Sequence, residues 1–242
     1  MEVDMGSVIA YKRSVVPAAD FDTVRKLRKL VQETHDVKGI GGYKISAELA
    51  VGHGLKKVVE TVREFTNHPI IYDHQKGMTD IPDTGEGFLT VIKESGVDAF
   101  IGFPLSGPAT QEEWIKQAQD IGLRVIMGGE MTHPKFKSSE GGYIADEKLD
   151  EMYLLSAKLG VMDFVVPGNR KERVAHYNQI LRPIVGDDLT FWAPGFVAQG
   201  GAISDAAKAA GESFHAIVGR GIYQAKDMRK AAEEMCSQLL GE

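Results

Sequence analysis

Short apolar, β-branched runs alternate along this chain with longer segments of helical spacing, and the alternation persists from end to end. The runs Ser7 to Tyr11, Gly42 to Ser46, Pro69 to Asp73, Asp98 to Phe103, Arg124 to Gly128, Asp163 to Val166, Thr190 to Ala193 and Ala216 to Gly219 read as strands. Between them, Asp20 to Glu33, Leu55 to Phe65, Gly85 to Ser95, Gln111 to Ile121, Glu147 to Leu159, Lys171 to Leu181, Ser204 to Ala210 and Asp227 to Leu240 carry apolar residues at helical intervals. Eight strands alternating with eight helices predict a closed parallel (β/α)8, or TIM, barrel in the α/β class. An open doubly wound sheet is the competing architecture, but it usually carries a glycine-rich fingerprint after its first strand, and the stretch from Ser7 to Val16 has none.

Composition narrows this picture. A chain of 242 residues with 43% hydrophobic residues suffices for one large core, and no linker or charge block divides it, so one domain over residues 1–242 is expected. The lone Cys236 excludes an internal disulfide and fits a reducing compartment. No basic segment leads into an apolar one, and no apolar run approaches a membrane span, so a soluble, cytoplasmic protein without a membrane partner is expected. A net charge of −6 argues against a nucleic-acid surface, yet leaves room for a local cationic pocket. The histidines show no metal-ligand spacing, so no metal site is expected. Trp114 and Phe65 read as packing residues, and Trp192 could face either side of its strand.

In a barrel of this kind the reactive groups gather where strands end, so the strand-closing residues form one rim. There the chain places Lys44, then Asp73 with Lys76 and Asp80 beyond it, and the run Glu130-Met131-Thr132-His133-Pro134. Asp73 and Lys76 so close to an apolar strand end read either as reactive groups that shift each other's pKa or as an ordinary loop ion pair. After strand seven come Pro194-Gly195 and Gln199-Gly200-Gly201, and strand eight ends in Val218-Gly219-Arg220. Singly, each glycine reads as a plain turn. Jointly, at the two loops where barrels hold phosphate, they offer backbone N–H groups and a guanidinium to an anion. The stretch Ser138 to Tyr143, with its Gly141-Gly142, reads as a mobile surface loop.

These motifs, in this order, resemble the orotidine 5′-monophosphate decarboxylase family over most of the chain. Its strand-two lysine motif is similar to Val37 to Leu55 with Lys44 as the lysine. Its Asp, Lys, Asp-Ile-Pro signature is similar to Asp73, Lys76 and Asp80-Ile81-Pro82, and its Glu-Met-Ser-His-Pro loop to Glu130 to Pro134 with threonine for serine. The resemblance implies decarboxylation of orotidine monophosphate to uridine monophosphate in pyrimidine synthesis, with no cofactor. It implies that Lys76 stabilises and then protonates the ring carbanion, that Asp73 lies against the departing carboxylate, and that Lys44 holds the network in register. It further implies that Asp80 reaches across a homodimer interface into the partner's site with Thr84 following toward the ribose. Thr132 would contact the pyrimidine, and Gln199 with Arg220 would grip the phosphate beside Pro194, Gly200, Gly201 and Gly219.

Two departures shape further expectations. The family reads Asp-x-Lys-x-x-Asp, whereas this chain is one residue longer on each side of Lys76, so irregular backbone is expected from His74 onward. The family's first strand ends in a ribose-binding aspartate, and the run Ser7 to Tyr11 is followed by Lys12-Arg13, so that aspartate is expected to be missing and Lys12 to be either a rim residue or merely solvated. A related sugar-phosphate lyase, favoured by these departures, and a phosphate-ligand binder without chemistry are the alternative functions. A divalent-metal requirement would separate the first of them.

Overall fold

The computed structural model describes residues 7–74, 77–196 and 202–241. The eight strands are β1 (Arg13–Ala19), β2 (Tyr43–Ser46), β3 (Ile70–Asp73), β4 (Ala99–Gly102), β5 (Arg124–Met127), β6 (Asp163–Val165), β7 (Thr190–Ala193) and β8 (Ser213–Val218). Each pairs in parallel with its sequence neighbours, and β1 pairs with β8, so the sheet closes into a barrel. The helices are α1 (Val24–Thr34), α2 (Ala47–His53), α3 (Leu55–Arg63), α4 (Gly85–Glu94), α5 (Pro108–Asp120), α6 (Asp146–Lys158), α7 (Lys171–Val185), α8 (Ala202–Ala210), α9 (Arg220–Tyr223) and α10 (Met228–Leu240). The expected barrel is observed, with α2 and α9 as additional short helices.

The pleat explains why these segments read as near-continuous apolar runs. Successive side chains point to opposite faces, and in a closed parallel barrel both faces are covered. Inward positions Val16, Ala18, Ile71, Ala99, Ile101, Ile126, Val165, Trp192 and Ile217 form one cluster that fills the barrel. Outward positions such as Val15, Tyr43, Ile45, Phe100, Phe164, Phe191 and Phe214 form a second cluster with the helices. Helix α1 shows the matching pattern, with Leu27, Leu30, Val31 and Thr34 buried along one stripe. Trp192 therefore faces the barrel interior, and Trp114 on α5, 3% exposed, packs against Phe88 of α4.

The first strand lies elsewhere than expected. Val8 and Ile9 are buried, but Ser7 to Lys12 is a bent segment, and Val8 and Ile9 join the interior cluster as a plug beneath the barrel. Beside it, Ile9 lies close to Gly41 and Gly42 at the start of β2. The true first strand is Arg13–Ala19, with six consecutive buried residues from Ser14 to Ala19. Pro17, which reads as a strand breaker, sits in it opposite Val218. Asp20 consequently follows a strand instead of opening a helix, and α1 begins at Val24. Lys12 lines a cavity beneath the barrel, at the end away from the strand-closing rim.

The layer next to the plug is polar. Ser14 Oγ lies 2.8 Å from His215 Nδ1, Trp192 Nε1 donates to Asp163 Oδ1 at 2.7 Å, and the His215 and Trp192 rings lie 4.5 Å apart. Burial pushes His215 down to about 3, leaving it neutral near pH 7. Burial pushes Asp163 up to about 6, against the Trp192 hydrogen bond and the charge of Arg124. Between the pKa of the free chain and that of the fold, the folded state holds the extra proton, so stability falls as pH rises through that window. We expect wild-type stability to decline between about pH 4 and pH 6 by roughly 1–3 kcal/mol from this group, and Asp163→Asn to abolish that part of the decline. Denaturant midpoints measured across this pH range check it.

Candidate active site

Register places the central charges. Ala18, Lys44 and Ile71 lie side by side across β1, β2 and β3. Because Ala18 and Ile71 point into the barrel, so does Lys44; Asp73, two residues after Ile71, shares that face at the rim. Asp20 stands in the corresponding place two residues after Ala18. The Lys44 ammonium bridges the two carboxylates, 3.0 Å from Asp20 Oδ1 and 2.5 Å from Asp73 Oδ2. The Lys44 and Asp73 side chains are 8% and 10% exposed, whereas that of Asp20 is 46% exposed. Burial alone would drive the proton off Lys44, but the charges of Asp73 and Asp20 outweigh it and hold the ammonium above the usual lysine range. The first-strand aspartate expected to be missing is therefore Asp20, on the strand that the sequence reading misplaced.

This triad opens into a cavity of about 410 Å³. Across it lie Pro194, Gly195 and Phe196 after β7, and Gly219, Arg220 and Tyr223 after β8. Gly195 has φ of 108°, a left-handed conformation open to glycine at little cost. A side chain at Gly219 would stand 3.4 Å from both Asp20 Oδ2 and the Tyr223 ring, so its absence keeps the floor of the cavity low. Arg220 is exposed at the first position of α9. The cavity thus joins two charge environments: carboxylates around one ammonium on the β1–β3 side, and glycine backbone with a guanidinium on the β7–β8 side. The latter suits a phosphate.

Of the twelve site residues read from the sequence, this cavity brings together Lys44, Asp73, Pro194, Gly219 and Arg220. Lys76, Gln199, Gly200 and Gly201 lie outside the described residues. Asp80, Thr84 and Thr132 are exposed and do not line the cavity. Asp80 Oδ1 accepts the backbone N–H of Ile81 at 2.8 Å, and its carbonyl accepts the Thr110 hydroxyl at 2.8 Å. Thr84 donates to the Ile81 carbonyl at 2.9 Å, and Trp114 donates to the same oxygen at 3.2 Å. The segment carrying Asp80 and Thr84 is thereby tied to α5. Met131 packs against the barrel-interior cluster, and the exposed Thr132 follows it directly in the chain.

The irregular backbone expected after Asp73 is present. Strand β3 stops at Asp73, Gly77 N–H donates back to the His74 carbonyl at 2.6 Å, and Met78 takes a φ of 64°. A left-handed methionine costs roughly 1–3 kcal/mol. Met78 is fully buried, and its thioether fits against Gly102, where a side chain would stand 2.9 Å from the sulfur. His74 lies off the cavity, 2.9 Å from the Tyr72 hydroxyl and with its ring tilted against that of Phe88, centroids 4.6 Å apart; burial lowers its pKa. The loop after β5 is more ordered than its composition suggests. Ser139 N–H, Ser139 Oγ and Ser138 Oγ all donate to Asp146, and these bonds hold its carboxyl at about 2. Sequence reasoning missed Asp20, Phe196 and Tyr223; the run Ser14-Val15-Val16 was the available signal for Asp20.

A closed barrel with an ion triad on one side of its mouth and an anion cradle on the other defines a small-molecule enzyme site of the (β/α)8 class. The model of the "Orotidine 5'-phosphate decarboxylase / HUMPS family" matches residues 13–235. The chain belongs to that family. An orotidine 5′-phosphate decarboxylase of Methanosarcina barkeri is 30% identical over 234 residues, 96% of each chain, and one of Pyrococcus abyssi is 27% identical over 94% of this chain and all of its own. The crystal structure of orotidine 5′-phosphate decarboxylase from Pyrococcus horikoshii OT3 superposes with a TM-score of 0.79 at 26% identity, covering 94% of this chain and 100% of that one. The Methanocaldococcus jannaschii enzyme complexed with inhibitor BMP superposes with a TM-score of 0.80 at 25% identity, covering 94% and 98%.

Removing the half-exposed carboxylate is expected to loosen the hold on the Lys44 proton. In Asp20→Asn, modification of Lys44 by an amine-reactive reagent, followed by mass spectrometry, should set in at lower pH than in the wild type.

Proposed function

We propose that this protein decarboxylates orotidine 5′-monophosphate to uridine 5′-monophosphate in de novo pyrimidine synthesis, without metal or organic cofactor. The observation that carries the reading is the buried Lys44 ammonium locked between Asp20 and Asp73, facing Gly219 and Arg220 across one cavity. A nucleoside monophosphate has the matching polarity, with its phosphate at one end and the reacting carboxylate at the other. The share of each chain covered in the family matches, together with the inhibitor complex of the M. jannaschii relative, supports that substrate.

In this reading the phosphate lies against Arg220, Gly219 and the Gln199-Gly200-Gly201 loop, with Pro194 shaping the β7 side. Asp20 accepts a ribose hydroxyl while still bonded to Lys44, and Thr132 contacts the pyrimidine. The bond between the ring carbon and the carboxylate breaks, carbon dioxide leaves, and the electron pair stays on the ring. Lys76 neutralises that pair and then delivers a proton to it. Asp73, paired with Lys44 at 2.5 Å, stands against the departing carboxylate, so its repulsion is relieved as carbon dioxide leaves. Phosphate binding contributes by holding the ring in place, energy that a truncated substrate would lack.

A homodimer belongs to the same proposal. Asp80 is exposed outside its own cavity, its backbone is tied to α5, and the neighbouring Ile81 side is 60% exposed, as suits a segment reaching into a partner's site with Thr84 alongside.

Loss of ultraviolet absorbance on mixing the protein with orotidine monophosphate in chelator tests the reading. Turnover is expected in chelator and should vanish in Lys76→Ala. Uridine monophosphate binding without turnover would replace the enzyme with a binder; activity only on sugar phosphates with a divalent metal would move it to the other branch of the family. Arg220→Ala should raise KM about 10- to 100-fold, the range for one charge-assisted contact to phosphate, with a smaller effect when the substrate lacks the phosphate.

A further inference from the structure

The loop between β5 and α6 begins with a carboxylate that the mechanism above does not use. Glu130 is 3% exposed and its side chain is completely buried, yet it stands outside the cavity. Its Oε2 accepts from Arg173 Nε and from the Tyr177 hydroxyl, both at 2.7 Å. Its Oε1 faces two further cations at 3.5 Å, Lys137 Nζ and Arg170 Nη1. Glu140 bridges the same two cations at 3.7 and 3.6 Å. Arg173 also lies over the Tyr177 ring, 4.7 Å from its centroid. Burial would lower the Arg173 pKa, but its hydrogen bond to Glu130, together with Tyr177 and the Glu130 charge, outweighs burial and raises it.

The placement of these partners matters more than their number. Arg170 is the N-cap residue of α7 and Arg173 and Tyr177 lie within its first two turns, whereas Lys137 and Glu140 lie in the same loop as Thr132. A single buried carboxylate therefore ties both the root and the far side of the loop to a helix of the scaffold. Between these two anchors run Met131, against the barrel interior, and Thr132. A buried ion is costly unless it is partnered, and replacing Glu130 would leave, among the described residues, Lys137 and Arg170 with only Glu140 and Arg173 with only Asp150 as acidic partners, all at 3.5–3.7 Å.

We propose that Glu130 is a positioning residue for substrate binding: it fixes the β5–α6 loop so that Thr132 is presented to the base of the nucleotide. The inference rests on the decarboxylase reading for the identity of that nucleotide. A contact to the base that is equally good in the ground and transition states affects KM and leaves kcat alone. The ion cluster serves that contact by removing the loop's other conformations before substrate arrives.

The test compares wild type, Glu130→Gln and Lys137→Met for turnover of orotidine monophosphate, for uridine monophosphate affinity by calorimetry, and for backbone hydrogen exchange across residues 131–144. In Glu130→Gln we expect KM and the product dissociation constant to rise together by about tenfold, the scale of one charge-assisted contact. Turnover number should stay within about twofold, and exchange in the loop should quicken. Lys137→Met, which removes one loop-side cation and keeps the α7 contacts, should shift the same quantities in the same direction by less, and it decides the matter if Glu130→Gln fails to fold. Variants that lose thermal stability while KM, product affinity and loop exchange stay at wild-type values would overturn the inference alone. So would a fall in kcat at constant KM. A wild-type protein that neither turns over orotidine monophosphate nor binds uridine monophosphate would sink both the functional reading and this one.

Discussion

Closure of the sheet through the β1–β8 ladder is the constraint from which the rest follows. Once the sheet has no free edge, every strand residue faces either the barrel interior or the helices, and residues paired in register share a direction. Ala18, Lys44 and Ile71 are one such row, so a lysine placed on β2 must project inward, and only the open end of the barrel gives it room for charge. The ion triad is the electrostatic answer to that geometry. An ammonium 8% exposed is tolerable because Asp73 and Asp20 approach it from the strands on either side.

The two ends of the barrel handle polar residues differently. At the strand-closing end the charged side chains are paired and open to a cavity. At the other end Val8 and Ile9 seal the interior, and burial disfavours charge on the polar groups behind them: His215, pushed down to about 3, is neutral near pH 7, and Asp163 holds its proton up to about pH 6. The same desolvation acts at both ends; the presence of a partner of opposite charge decides which groups remain charged. Structural and reactive titratable residues thus separate along the barrel axis.

The loops over the reactive end are held by dedicated anchors rather than by regular structure. Thr110 and Trp114 grip the segment of Asp80 and Thr84, Asp146 gathers Ser138 and Ser139, and Glu130 joins the β5–α6 loop to α7. Buried Met78, with its left-handed backbone beside Gly102, makes the tight reversal after Asp73 that the longer spacing of this signature needs. Such anchoring suits a site whose substrate contacts come from several different loops, since ordering them beforehand reduces the cost of binding.

Much of this was determined by the sequence alone. The alternation of apolar runs and helical spacing contains the barrel, because each period is a local property of the chain, and strand seven coincides from Thr190 to Ala193 with the run that predicts it. The ordered motifs around Lys44, Asp73, Pro194, Gly219 and Arg220 carry the family and most of the cavity, since each names residue types at a strand end. What the sequence left undecided is which of two apolar stretches near the start is a strand. Val8-Ile9 and Ser14-Val15-Val16 have the same local character, and Pro17 argues against the second. Pairing with β8 and β2 settles it, putting the first stretch under the barrel and Asp20 at the rim. Glu130 is the same kind of case. In the sequence it is one letter of a motif, and only the fold brings Arg170, Arg173 and Tyr177 from some forty residues away to surround it. Local periodicity is written residue by residue, but the partner that makes a buried charge affordable comes from a distant part of the chain, and only tertiary structure supplies it.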